Sequence, residues 1–138
     1  MKGMENPTQI LVVDDDREIR MLLAEYLDSN GFRTFTAGNG VEMRKQLESV
    51  RIDLVVLDLT LPGEDGLTLC RTLRANSTLP VIMLTTTDDP REIERCYQLG
   101  CNIYVTKPVE YESFIEAVRR LGFFLQVVKL PPARSGSA

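Results

Sequence analysis

Five short apolar runs divide the chain and predict five strands. They cover residues 10–13, 34–37, 54–57, 81–84 and 103–105, and β-branched residues are frequent in them. The first, third and fourth runs are apolar at nearly every position instead of alternating with polar residues. A strand that helices cover on both faces needs this pattern, so the runs indicate a parallel sheet.

Amphipathic segments lie between and after these runs and predict five helices. Apolar residues recur in the segments at helical spacing, most clearly from Ile19 to Leu27 and from Phe114 to Leu121. Gly31 and Gly100 follow the first and fourth segments, where a left-handed residue commonly ends a helix. Strands and helices therefore alternate as (βα)5.

This alternation predicts an α/β fold of the flavodoxin-like type. Parallel strands joined by helices require right-handed crossovers, and the doubly wound order 2-1-3-4-5 is the common solution for five strands. In that order the connections change direction between strands one and three. We therefore expect ligands to bind at the carboxyl ends of those two strands.

The composition is that of one globular domain. The chain has 138 residues, of which 43% are hydrophobic and 26% are charged. No stretch approaches the roughly 20 apolar residues of a membrane span, and residues 1–8 lack the apolar core of a secretory signal, so we expect a cytoplasmic protein without a membrane partner. The net charge of −4 disfavours nucleic-acid binding by this chain alone.

The cysteines and the lack of histidine argue against several kinds of metal and catalytic site. Cys70, Cys96 and Cys101 form no CxxC pair, and the sequence contains no histidine, which disfavours a zinc site. We interpret the three cysteines as buried small hydrophobic residues. The chain also has no imidazole to act as a base or phosphoryl carrier, so any phosphohistidine must belong to a partner.

Three carboxylates fall at the predicted switch point of the sheet. Asp14 and Asp15 follow strand one, and Asp58 follows the apolar run of strand three. Carboxylates crowded at low dielectric repel one another unless a cation neutralises them. Oxygen ligands without histidine or thiolate suit Mg²⁺, and Asp15 and Asp58 are the expected acidic ligands.

Two further polar groups fall on the same rim of the sheet. Thr85 comes at the end of strand four and Lys107 at the end of strand five. A hydroxyl and an ammonium in these places would face the charge that develops on a transferring phosphoryl group. The whole set therefore indicates phosphoryl transfer to a carboxylate.

Four motifs of this chain resemble those of response-regulator receiver domains in two-component signalling. They are Val-Val-Asp-Asp at residues 12–15, Leu-Asp-Leu-Thr-Leu-Pro-Gly-Glu-Asp-Gly at 57–66, Val-Ile-Met-Leu-Thr at 81–85 and Tyr-Val-Thr-Lys-Pro at 104–108. The resemblance covers residues 8–122. It implies a phosphoacceptor domain that a sensor histidine kinase or a phosphotransfer protein supplies with phosphoryl groups.

The resemblance also implies how the acidic site works. Asp58 would form the acyl phosphate, and Lys107 would pair with Asp58 or with the phosphoryl group. Asp15, Asp58 and the backbone carbonyl of Thr60 would bind Mg²⁺, with Asp14 assisting through water. Such a domain catalyses its own phosphorylation and slow dephosphorylation and is not a conventional enzyme.

A conformational switch is implied as well. Thr85 would move to bond the phosphoryl group, and Tyr104 would swing inward behind it. The surface formed by helix four, strand five and helix five would change as a result. The Lys107–Pro108 peptide bond would be cis, as is usual in the family.

The sequence divides into three parts on this interpretation. Residues 1–8 form a leader, residues 9–128 form the receiver with an extended last helix, and residues 129–138 form a disordered tail. Apolar residues continue past the fifth helix from Phe123 to Val128. They either cover the core or pair two chains, and we favour a homodimer through this extension and the surface of helix four, strand five and helix five.

The resemblance changes along the chain. Up to Thr85 the sequence is similar to receivers that precede winged-helix transcription factors. From Asp88 it is more similar to stand-alone receivers, including those paired with phytochrome-type kinases. The chain therefore has the features of a mosaic, either natural or engineered.

Several alternatives stay open at this point. Asp14, Asp15 and Asp16 could simply cap a helix, which is the favoured interpretation for Asp16 alone. The chain could be the receiver part of a DNA-binding response regulator. It could also be a Mg²⁺-dependent phosphohydrolase with Asp58 as nucleophile, although Thr60 occupies the position of the second acid that such enzymes use. A structural interaction module with a vestigial site is the last alternative.

Overall fold

The fold is a five-stranded parallel sheet with helices on both faces. A computed structural model of the protein describes residues 7–61, 63–86 and 88–121. The strands are β1 (Gln9–Val13), β2 (Arg33–Ala37), β3 (Leu54–Asp58), β4 (Val81–Thr85) and β5 (Ile103–Thr106). They are parallel throughout and lie in the order β2-β1-β3-β4-β5, which confirms the predicted doubly wound order.

Five helices connect and follow the strands. They are α1 (Arg17–Ser29), α2 (Gly40–Ser49), α3 (Gly66–Asn76), α4 (Pro90–Gln98) and α5, which is helical from residue 111 to residue 121, the last described. Asx side chains cap the first four by accepting backbone N–H groups. Asp16 caps α1 in this way, as favoured from the sequence.

One short element was not predicted from the sequence. Directly after β3, Thr60–Leu61 pairs antiparallel with Glu64–Asp65 as a two-residue ribbon. The ribbon leads into α3, whose N-cap residue Asp65 is its last residue. It therefore places the start of α3 beside the end of β3.

The core lies in two layers, one on each face of the sheet. In β1, Leu11 and Val13 pack toward the α2, α3 and α4 side, whereas Ile10 and Val12 pack toward α1 and α5. The alternating residues of β3 and β4 divide between the same two layers, and all of them are buried. This double burial explains why the three central strands are apolar at nearly every position.

The three cysteines belong to the α2, α3 and α4 layer, as the sequence suggested. Cys70, Cys96 and Cys101 are buried free thiols. Burial raises the pKa of all three, and it raises that of Cys101 to about 12. These thiols therefore serve as packing groups and stay protonated near neutral pH.

Three predictions made from the sequence concern residues that the structure does not describe. The extension of the last helix to residue 128, the disordered tail and most of the leader lie outside the described residues. Within residues 7–61, 63–86 and 88–121, no helix is long and apolar enough to cross a membrane.

The end of α4 is fixed by a glycine cap and an arginine. Gly100 has a φ of +108°, and the N–H groups of Gly100 and Cys101 donate to the carbonyls of Tyr97 and Cys96 at 3.1 and 3.0 Å. These two bonds form a Schellman cap. The Arg74 side chain from α3 donates to the Gly100 carbonyl at 2.8 and 3.1 Å, so α3 holds the end of α4.

We expect replacement of Arg74 by alanine to destabilise the fold. The Gly100 carbonyl would lose its charged donor, at a cost of roughly 1–3 kcal/mol in unfolding free energy. Urea denaturation measures the change. Arg71→Ala is the matched control, because Arg71 is an exposed arginine on the same helix, and its loss should change stability by less than about 0.5 kcal/mol. Equal effects of the two substitutions would contradict the assignment.

Candidate functional site

The three predicted carboxylates meet at the carboxyl edge of the sheet. Asp58 is the last residue of β3, and Asp14 and Asp15 follow the neighbouring strand β1. One carboxylate oxygen from each residue lies within 4.8 Å of the others. Asp14 and Asp58 are buried, whereas Asp15 is exposed to solvent.

The backbone around Asp14 is held by its own carboxylate and by a neighbouring strand. The Asp14 N–H donates to the Ala37 carbonyl of β2 at 3.1 Å, and Asp14 Oδ1 accepts the Asp16 N–H at 2.9 Å. Arg20 donates to the Asp14 carbonyl at 2.8 Å. One oxygen of this carboxylate is therefore used to shape the loop between β1 and α1.

Lys107 lies between two of the acids. Its ammonium nitrogen is 3.0 Å from Asp14 Oδ2 and 3.4 Å from Asp58 Oδ1. The Lys107 N–H donates to the Thr85 carbonyl at 2.7 Å, and the Lys107–Pro108 peptide bond is cis, as expected. Burial lowers the pKa of Lys107, but the carboxylates of Asp14 and Asp58 outweigh that effect and raise it overall, so the side chain is charged at neutral pH.

The donor set of this crevice fits a hard divalent cation. The crevice gathers three carboxylates, and the Lys107 ammonium contacts two of them, so negative charge is in excess there. Asp14 Oδ2 is buried and lacks a hydrogen-bond partner among the described residues, although the Lys107 ammonium contacts it as an ion pair. A buried charged oxygen of this kind is costly unless a cation or water compensates it. Oxygen ligands alone suit Mg²⁺ better than a softer metal.

The two predicted switch residues lie in different environments. Thr85 ends β4 and is buried at 2% exposure. Tyr104 lies on β5 opposite Met83 and is half-buried, with its ring against that of Tyr97 on α4. Thr86, the next residue after Thr85, is exposed. The structure thus places Thr85 at the rim of the crevice and Tyr104 on the α4 side of the sheet.

Gly66 is a site residue to which sequence reasoning gave no role. A Cβ atom at this position would lie 2.6 Å from the Asp58 carbonyl oxygen and 2.4 Å from that of Leu59. The Gly66 N–H donates to the Leu59 carbonyl at 3.0 Å. The first turn of α3 therefore packs directly against the backbone of Asp58 and Leu59, and position 66 has room only for glycine. The signal in the sequence was a glycine directly after the cap residue Asp65.

The comparison with protein families matches this arrangement. The family model described as "Response regulator receiver domain" matches residues 10–119. The chain belongs to this family. It is thus a receiver homologous to response regulators and consistent with a phosphoacceptor of two-component signalling, and receivers of this family interact with histidine kinases or phosphotransfer proteins.

Curated relatives of this receiver are response regulators, and the part of each that matches this chain is about half of its length. The chain is 40% identical over 111 residues to the heme response regulator HssR of Staphylococcus aureus. The matched segment covers 80% of this chain and 50% of HssR. It is 38% identical over 111 residues to the DNA-binding response regulator MtrA of Mycobacterium leprae, covering 80% of this chain and 49% of MtrA. The chain therefore spans about half the length of these relatives.

Solved structures show the same fold over most of the receiver. A Francisella response regulator receiver domain has a TM-score of 0.79 and 32% identity, covering 84% of this chain and 96% of that one. A Pseudomonas putida response regulator receiver protein has a TM-score of 0.79 and 33% identity, covering 84% and 98%. The division of the chain between two kinds of receiver stays a prediction.

We expect Lys107→Met to destabilise the receiver in buffer without divalent ions. Two buried carboxylates would lose their cation, at a cost of roughly 1–3 kcal/mol in unfolding free energy. The pKa of Lys107 is raised from 10.5, so this stabilisation is complete below pH 10.5 and is lost as the pH rises through the folded-state value. Denaturation at several pH values measures the difference between parent and variant.

Lys45→Met is the matched control for this substitution. Lys45 is an exposed lysine on α2, and its loss should change stability by less than about 0.5 kcal/mol at any pH. If Lys107→Met and Lys45→Met had equal effects, or if the Lys107 contribution grew above pH 10.5, the ion pairs would not stabilise the fold as described.

Proposed function

We propose that this receiver accepts a phosphoryl group on Asp58 from the phosphohistidine of a sensor histidine kinase or a phosphotransfer protein. Mg²⁺ would be held by Asp15, Asp58 and the Thr60 carbonyl, with Asp14 contributing through water. The observation that carries the proposal is the position of the Lys107 ammonium, 3.4 Å from Asp58 and 3.0 Å from Asp14, inside a cluster of three carboxylates.

Asp58 is better suited than its neighbours to act as the nucleophile. One oxygen of Asp14 accepts the Asp16 N–H and the other contacts Lys107, so Asp14 is engaged by the protein on both sides. Asp15 is exposed and suits a cation ligand that exchanges with solvent. Asp58 ends the central strand β3, and Gly66 fixes the backbone beside it.

The transfer step follows from this geometry. A carboxylate oxygen of Asp58 attacks the phosphorus, the P–N bond of the phosphohistidine breaks, and the partner's imidazole leaves with the bonding electron pair. The Lys107 ammonium and the Thr85 hydroxyl donate to phosphoryl oxygens as negative charge develops on them. Bound Mg²⁺ would neutralise part of the same charge.

Dephosphorylation on this proposal is attack of water on the phosphorus of the acyl phosphate. The P–O bond to Asp58 breaks and inorganic phosphate leaves. The sequence has no histidine to activate that water. We therefore expect the receiver to catalyse its own phosphorylation and to lose the phosphoryl group slowly, in the manner of a signalling domain.

The output surface lies next to β5, which is an edge strand of the sheet. Bonding of Thr85 to the phosphoryl group would vacate space behind it, and Tyr104 would rotate into that space. Because β5 is paired on one side alone, the change would reach the exposed surface of α4, β5 and α5. A partner protein or a second copy of the chain would read it there, in the cytoplasm.

A second candidate keeps the same chemistry but gives the receiver a different output. The DNA-binding regulator MtrA is a relative of which this chain spans 49%. The receiver could accordingly control a DNA-binding segment of a longer protein rather than act through protein contacts alone. The phosphohydrolase alternative has less support, because Thr60 stands where such an enzyme places its second acid.

We expect acetyl phosphate with Mg²⁺ to add one phosphoryl group to the parent chain, as measured by intact mass. The gain should be absent without Mg²⁺ and in Asp58→Asn, because the nucleophile is then an amide. Asp16→Ser is the matched control, since Asp16 belongs to the same acidic run but caps α1. Phosphorylation of Asp58→Asn at the parent level would disprove the assignment of the acceptor.

We also expect Mg²⁺ to stabilise the parent against thermal unfolding. A ligand that binds only the folded state raises the free energy of unfolding by about 2.7 kcal/mol when its free concentration is 100 times its Kd. Asp15→Asn should weaken this effect by removing a ligand, whereas Glu94→Gln, an exposed change on α4, should leave it unchanged. An identical magnesium dependence in Asp15→Asn and the parent would argue against Asp15 as a ligand.

A further inference from the structure

Two tyrosine rings meet at the junction of α4 and β5. The centroids of Tyr97 and Tyr104 are 5.8 Å apart, and their planes cross at 80°, which is an edge-to-face contact. Tyr97 is 46% exposed and lies on the outside of α4, and Tyr104 is half-buried below it. Aromatic pairs favour this geometry because the positive edge of one ring meets the negative face of the other.

The backbone holds Tyr97 firmly in this place. Its carbonyl accepts the Gly100 N–H at 3.1 Å within the glycine cap of α4. The neighbouring residue Cys96 is buried in the core, and its carbonyl accepts the Cys101 N–H at 3.0 Å. Arg74 in turn binds the Gly100 carbonyl. These hydrogen bonds thus fix the backbone that carries the Tyr97 ring beside Tyr104.

We propose that Tyr97 is a positioning residue that holds Tyr104 in its half-exposed orientation and thereby opposes phosphorylation of the receiver. The inference rests on the proposed function, in which Tyr104 rotates inward when Asp58 carries a phosphoryl group. That rotation separates the two rings. A contact made in the unphosphorylated state and lost in the phosphorylated state lowers the affinity for the phosphoryl group by the full free energy of the contact.

The size of the effect follows from the strength of such contacts. Removal of the Tyr97 ring should lower the apparent Kd for a phosphoryl mimic by roughly two- to tenfold, the range expected for an aromatic pair. Tyr97→Phe keeps the ring and should retain most of the parent's Kd. Because Tyr97 is largely exposed, Tyr97→Ala should fold.

The chain offers a second tyrosine pair as a matched control. Tyr26 on α1 and Tyr111 at the start of α5 have ring centroids 5.0 Å apart, at 46°. Both pack against the core layer on the α1 and α5 side of the sheet. Tyr26→Ala removes an aromatic pair without touching Tyr104, so it should leave the affinity for the mimic unchanged.

The test is the apparent Kd for beryllofluoride at saturating Mg²⁺, followed by NMR of the Thr85 amide. It uses the parent, Tyr97→Ala, Tyr97→Phe and Tyr26→Ala, together with Tyr97→Ala in a Tyr104→Ala background. In that background no ring pair exists, so removal of Tyr97 should have no effect on the Kd. The chain contains no tryptophan, so near-ultraviolet circular dichroism reports largely on the tyrosines. The parent should lose a tyrosine signal on binding that Tyr97→Ala lacks from the start.

The outcomes separate this inference from the function on which it rests. If the parent does not bind beryllofluoride, both are wrong. If the parent binds it and Tyr97→Ala binds it equally or more weakly, the proposed function stands and the role of Tyr97 is wrong. An equal gain in the Tyr104→Ala background would also overturn that role, because the effect of Tyr97 would then not pass through Tyr104.

Discussion

The arrangement of the receiver depends on how a parallel sheet gathers negative charge at one edge. Parallel strands end at the same side, so the acids that follow β1 and end β3 meet without any long-range loop to bring them together. Two of these carboxylates are buried, and burial makes their mutual repulsion expensive. Lys107, which directly follows the edge strand β5, forms ion pairs with both buried carboxylates and reduces this repulsion.

The single ammonium of Lys107 does not neutralise the three carboxylates. Asp14 Oδ2 has Lys107 as an ion-pair partner yet makes no hydrogen bond within the described part of the chain. The same excess of negative charge would favour a divalent cation at this site. On the proposed function, the site would give up stability for affinity, as functional sites commonly do.

Much of this arrangement could be predicted from the sequence because it depends on local pattern and strand order. Double burial of β1, β3 and β4 appears as uninterrupted apolar runs, and the strand order then brings Asp14, Asp58 and Lys107 to one edge. Contacts that depend on how individual elements pack could not be predicted in this way. The ribbon after β3 is too short to show a periodicity, and the closeness of Gly66 to the Asp58 carbonyl depends on the packing of α3. The ring contact of Tyr97 with Tyr104 likewise requires the crossing of α4 over β5 to be known.

The uneven anchoring of the helices indicates where the receiver can move. α3 buries five of its residues, whereas α4 buries one, Cys96. Elements with few buried apolar contacts open or shift at low free-energy cost, so α4 is more easily displaced than α3. Its N-terminal part has no buried residue, and its C-terminal turn is fixed by the glycine cap and by Arg74. A shift of α4 would therefore pivot about that turn, so Tyr97, which lies in it, would keep its place beside Tyr104 while the N-terminal part of the helix moves.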